Sequence, residues 1–230
     1  MPSAADPIAA VSARMQAIAD ALPVTDGVSR FNHLYLEVTR SVGTAATAAT
    51  FEDAAFLSAL DVGFAGLYFA AADAAARGGS VSRSWAPLFA ARHDPAIAPI
   101  QFALAGMNAH INHDLAVALV ATCLTEGIDL DRDSPQHRDF IRVNDLLSAV
   151  EAQVKQEYLV GLVGLADDVL GRVDDVVAMW SVVEARGAAW TNAEMLWAVR
   201  DVPALGATFD DALDGLAGAV SRGLLVPTLS

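Results

Sequence analysis

The 230-residue chain contains a single lysine, Lys155, and a single cysteine, Cys123. One cysteine excludes an internal disulfide and fits a reducing compartment, so the cytoplasm is the expected location. Basic residues of either kind are scarce, 14 against 28 acids, for a formal charge of −14. Such a surface repels nucleic acid and anionic lipid, and neither is an expected partner. Continuous apolar runs are short. The best candidates, residues 62–72 and 115–123, fall below the roughly 18 residues that a membrane span needs and read as core helix. The amino-terminal stretch lacks the basic start and unbroken apolar segment of a signal peptide, because Asp6 and Arg14 interrupt it. A Walker loop, a G-x-S-x-G elbow, a Rossmann fingerprint and a basic stripe are all missing. Nucleotide-fold enzymes and nucleic-acid binders are set aside on that ground.

What is present is apolar and helical in spacing. Hydrophobic residues make up 54 % and charged residues 18 %, enough for one domain of this length to bury a substantial core. Ile8, Val11, Met15, Ile18 and Leu22 fall on one stripe, and Phe31, Leu34, Tyr35 and Val38 on the next, in a helix over 28–42. Helices are also expected over 52–77, ended by Gly78-Gly79-Ser80, over 82–92 and over 101–126. Ser134 as N-cap and Pro135 in the first turn open another, to about residue 160. One with the acidic pairs Asp167-Asp168 and Asp174-Asp175 runs to Arg186, Thr191 caps one over 192–200, and the last covers 209–225. No segment alternates with period two for long enough to be a strand. The expected fold is all-α: one domain over 1–230, a multi-helix bundle around a buried central helix at about 99–126. Residues 161–230 are a candidate C-terminal sub-bundle.

The chemistry concentrates on the central helix. The stretch QFALAGMNAHINHDLAVALVATCLTE is apolar on nearly every side, the pattern of a buried helix. Its middle nevertheless holds Asn108, His110, Asn112, His113 and Asp114. Buried polar groups are costly unless each finds a partner. At about 100° per residue His110 and Asp114 share a face, Asn108 and Asn112 share another, and His113 lies between. The segment FALAGMNAHINHDL (102–115) resembles the hallmark of an actinobacterial family known only as a domain of unknown function (5995-type). FNHLYLEVT (31–39), SWAPLFAAR (84–92) and PQHRDFIRVNDLL (135–147) are similar to its other shared blocks. The resemblance covers roughly residues 28–155 and implies no reaction.

Two chemical readings of the polar residues stand beside their structural counterparts. His110 with Asp114 and His33 with Glu37, each four residues apart, join His137 near a helix start to give three imidazoles and two carboxylates on three helices. Helical bundles build metal sites from such side chains, and Asn108, Asn112 and Asp61 would orient the ligands. A divalent zinc, iron or manganese ion there would activate water for hydrolysis. The plain alternative is a pair of helix-stabilising contacts, and neither H-E-x-x-H nor paired C-x-x-C occurs. Without a metal, His110 or His113 beside Asp114, with Asp61 or Arg92 nearby, would make a proton-transfer pair in an apolar pocket. Its counterpart is a polar network that only fixes helix packing.

A further pattern is Asp210-Asp211-Ala212-Leu213-Asp214, which matches the D-D-x-x-D magnesium motif of class I terpene synthases. Asn144, Asp145, Ser148 and Glu151 approach their second motif, in reversed order and with the glutamate one residue early. Acids near a helix N-terminus are favourable without any ligand. Cys123 reads as a buried inert thiol, Lys155 as an ion-pair partner of Glu151, and Trp180, Trp190 and Trp197 as core or pocket wall. The expected function is a small α-helical enzyme acting on a hydrophobic or amphipathic small molecule. His110, His113 and Asp114 would do the chemistry, with Asn108, Asn112, Asp61, Tyr35, Tyr68 and Arg92 around the substrate. Metal-assisted hydrolysis on His110, Asp114, His33, Glu37 and His137 is the most concrete version. A metal-free isomerase, lyase or cyclase is the alternative, and a non-enzymatic ligand-binding module is the competing class.

Overall fold

A computed structural model describes residues 7–45, 51–161 and 181–228, and no strand occurs among them. In chain order the helices are α1 (Pro7–Ala21), α2 (Gly27–Ala45), α3 (Ala54–Ala76), α4 (Ala86–Ala91) and α5 (Pro99–Ala109). A π-helical turn (His110–Asp114) joins α5 to α6 (Leu115–Glu126), and α7 (Pro135–Gly161), α8 (Val182–Ala198) and α9 (Pro203–Leu224) follow. The ends are chemically specified. The Asp53 carboxylate accepts the Phe56 N–H to cap α3, and Ser134 Oγ accepts the His137 N–H to open α7. Gly127 takes a left-handed φ of 65° after α6, a conformation open to glycine at little cost.

The rod of α5, π turn and α6 is the axis of the bundle. Every residue from Ile100 to Ala109 is buried. Helices α2 and α9 pack on α5, α3 and α8 pack on α6, and α7 closes against α2, α3 and α8. Phe31, Phe56, Tyr68, Trp85, Phe140 and Trp190 fill the spaces between them. At Gly106 a Cβ would collide with the Phe31 ring, so the missing side chain is what lets α2 approach α5.

Three elements differ from the sequence reading. Helix α8 runs unbroken through Thr191, because Val182, Arg186, Ala189, Trp190 and Ala193 form one continuous buried stripe. Ser181 supplies the cap instead, and the Thr191 hydroxyl donates to the Gly187 carbonyl within the helix. Helix α9 starts at Pro203, six residues earlier than expected, with the proline in the first turn where it is tolerated. Helix α3 is long and apolar enough to cross a membrane by length and composition. Counting only uninterrupted apolar runs passes over it, since Asp61 divides the helix. The acidic pairs Asp167-Asp168 and Asp174-Asp175, Trp180, and the side chains of Glu151 and Lys155 lie outside the described residues.

Candidate functional site

The polar belt of the central rod coincides with its π turn. Leu115 N–H bonds to the His110 carbonyl five residues back, instead of four, and such wide turns recur at functional sites. Within the turn, His110 Nδ1 lies 3.1 Å from Asp114 Oδ2, and Trp85 Nε1–H donates to the same oxygen at 2.9 Å. His113 Nδ1 is 2.9 Å from Asp114 Oδ1, and its Nε2 is 3.2 Å from Asp210 Oδ1 on α9. One buried carboxylate thus gathers two imidazoles and an indole.

Burial and hydrogen bonding divide the charge among these groups. For His113 burial favours the neutral ring, but hydrogen bonds to Asp114 and Asp210 outweigh it and push the pKa up to about 10. His113 is therefore an imidazolium at neutral pH, donating from both nitrogens. Burial opposes the charge on Asp114 too, yet hydrogen bonds from His110 and His113 hold its pKa below the usual carboxylate range. For His110 burial prevails and lowers the pKa, the Asp114 bond opposing it only in part. The ring is neutral, its Nδ1–H points at Asp114, and the lone pair sits on Nε2. That Nε2 is buried without a hydrogen-bond partner among the described residues.

His110 lies on the wall of a cavity of about 410 Å³, within the size range of small-molecule pockets. The lining is mostly aliphatic and aromatic, with Tyr35, Asp61 and Arg186 as its ionisable groups beside the histidine. Phe64 stacks on the His110 ring at 3.5 Å and 7°. The Tyr35 ring meets it edge-on at 4.7 Å, and Tyr35 Oη is likewise buried and unpartnered among the described residues. Burial, then the nearby Asp61 and Asp114 charges, raise the Tyr35 pKa, so the phenol keeps its proton. Burial lifts Asp61 to about 6, partly offset by Arg186.

Of the residues singled out in the sequence, the structure brings His110, Tyr35 and Asp61 to the cavity and sets His113 and Asp114 behind the histidine. Asn108 and Asn112 pack helices instead. Asn108 donates to Ala217 O and Ser221 Oγ on α9, and Asn112 donates to Asn108 Oδ1. Tyr68 donates to Asn32 Oδ1, and Arg92 pairs with buried Asp26 at 2.6 Å, so neither lines the cavity.

The five residues of the metal set are not gathered in one place. His33 is exposed and Glu37 half-buried on α2, whose inward positions are taken by Phe31, Leu34 and Tyr35. His137 donates to the Arg132 carbonyl at 2.8 Å and packs on Trp190. None of the three lies on the cavity wall. Among the described residues no three His, Cys, Asp or Glu are grouped to hold a metal ion.

The D-D-x-x-D carboxylates are engaged by the protein. Asp210 meets His113, Asp211 pairs with Arg83, and Asp214 accepts the N–H groups of Arg83 and Ser84 at 2.8 Å. Asn144 of the second pattern is buried and accepts from Arg186, while Asp145 is exposed. Sequence reasoning missed Arg186, Phe64 and Trp85 as parts of the site. A lone base in the apolar run VVEARGAAW was the available signal for Arg186.

Fold and site together define an all-α bundle with a carboxylate-backed histidine at the wall of an apolar cavity. The chain belongs to a family of unknown function, DUF5995, whose model matches residues 8–227. The match extends well beyond the 28–155 stretch that carries the resemblance in the sequence. No curated protein and no solved structure matches the chain.

Proposed function

We propose that the chain is an enzyme that binds a largely apolar small molecule in the 410 Å³ cavity and moves a proton with His110. The observation that carries this reading is the unpartnered, buried His110 Nε2 on the cavity wall, its other nitrogen tied to Asp114. A neutral imidazole oriented by a carboxylate is a general base ready to act. On taking a proton at Nε2, His110 becomes an imidazolium that Asp114 stabilises. Trp85 and the His113 cation keep Asp114 ionised and fixed in place. The Tyr35 phenol, protonated and otherwise unpartnered, donates to a substrate oxygen on which charge develops. Proton abstraction next to a carbonyl, as in an isomerase or lyase, is the reaction class these groups serve. The metal-assisted alternative loses support because His33, Glu37 and His137 stay away from His110.

The test is untargeted mass spectrometry of a small-molecule extract incubated with the protein or with His110→Gln. The reading expects at least one compound to be consumed, at a rate that falls about 100-fold or more in the variant, while the melting temperature moves by only a few degrees. Consumption that His110→Gln leaves intact would overturn the assignment. A compound retained unchanged by both proteins would make the cavity that of a carrier.

A further inference from the structure

The cavity has a second polar wall that proton transfer at His110 leaves unused. Arg186 enters it from α8 and is only 8 % exposed. Its Nε–H donates to Asn144 Oδ1 at 2.8 Å, one Nη2–H donates to the Phe140 carbonyl at 3.0 Å, and the guanidinium lies 4.0 Å over the Phe140 ring. Of the five N–H groups of an arginine, two are thus committed among the described residues, leaving both on Nη1 and one on Nη2. These form the end-on edge that matches the two oxygens of a carboxylate.

No carboxylate among the described residues is in ion-pair contact with this cation. Asp61 acts on it only at longer range. A buried guanidinium lacking a paired anion is costly, so an arginine held stiffly at a cavity wall in this way is poised for an anion from outside. We propose that Arg186 anchors the head group of the ligand, and that the ligand is an amphipathic monoanion: a carboxylate on an extended apolar body. The inference rests on the cavity being a small-molecule site, and is independent of what His110 does there.

Charge and shape select this class. Val38, Leu57, Leu60, Met107, Ile111 and Leu147 give the body an apolar lining. A phosphate dianion would bring two negative charges to one arginine in a cavity that already holds Asp61. A carboxylate brings one. Burial has already raised Asp61 to about 6, so a second carboxylate drives it to take up a proton, and the loaded cavity then holds one cation and one anion.

Calorimetric titration with dodecanoate and with dodecan-1-ol decides the matter, on the unmodified protein and on Arg186→Met and Arg186→Lys. The expected result is that the acid binds the unmodified protein about ten- to a hundred-fold more tightly than the alcohol, the range for hydrogen bonds to a charged group. Arg186→Met loses that preference and Arg186→Lys keeps part of it. The net charge of −14 disfavours unspecific anion binding, so preference for the acid reports the cavity. Equal binding of acid and alcohol would overturn the anchor while leaving the apolar site standing, as would a preference that survives Arg186→Met. Binding of neither would remove the site and the anchor with it. If Arg186→Met does not fold, the acid-to-alcohol ratio of the unmodified protein still separates an anchored head group from a purely apolar site.

Discussion

Asp114 is the residue on which the polar interior turns, because three ring N–H groups converge on its two oxygens. Replacing it by Asn keeps the volume but removes the charge that holds His113 protonated and His110 in one tautomer. Asp114→Asn should therefore destabilise the fold by about 3–5 kcal/mol, the range for breaking a buried ion pair on one side, as read from urea denaturation. Asp210, at the far side of His113, is half exposed. Asp210→Asn should cost less than about 1 kcal/mol, since solvent screens that pair. Equal costs for the two changes would mean that Asp114 is no more central than a surface acid. Losing His110 is a different matter, because Trp85 and His113 remain on Asp114 and no carboxylate is orphaned.

Helix packing sets where that carboxylate sits, and the tightest approach is between α2 and α5. Gly106→Ala places a methyl into the Phe31 ring and should cost about 1–3 kcal/mol through overpacking. Gly187, inside α8, faces open space. Gly187→Ala should raise stability by up to about 1 kcal/mol, as expected for a glycine in a helix interior. Thermal melts of the two variants make the comparison, and a shift in the same direction for both would show that the α2–α5 contact yields. The π turn belongs to this scale as well. It offsets the register of α6 from that of α5, while Asn108 and His110, about 200° apart around the helix, serve the α9 contact and the cavity in turn.

For the molecule as a whole, His113 ties the central rod to α9 through Asp210, and Asp214 ties α9 to the chain at Arg83 and Ser84. The folded pKa of His113, about 10, lies above the value near 6.5 of an unfolded histidine. Its contribution to stability is complete below about pH 6.5 and is lost as pH rises toward 10. The melting temperature should fall from pH 7 to pH 9 and fall less steeply in His113→Asn. Superimposable slopes for the two proteins would contradict the ion-pair role. Asp61 is already ionised in both folded and unfolded chains across most of this window, and so adds little to the slope.

The helical class, the cap at Ser134 and the buried central rod were legible in the sequence, because apolar spacing and capping are local chemistry that each segment carries with it. So was the place of the buried polar belt along the chain, since five polar residues in an apolar helix had to find partners. Which of them would meet the cavity was not legible. His33 and Glu37 have the same spacing as His110 and Asp114, and only the packing of α2 turned His33 outward and half-buried Glu37 away from the cavity. Arg186 stands 76 positions from His110 in the chain, yet lines the same cavity. Asp210 reaches His113 across 97 positions. Spacing fixes which residues share a face of one helix; which faces meet across helices is decided by interlocking side-chain volumes, such as Phe31 against Gly106, that exist only in the packed structure.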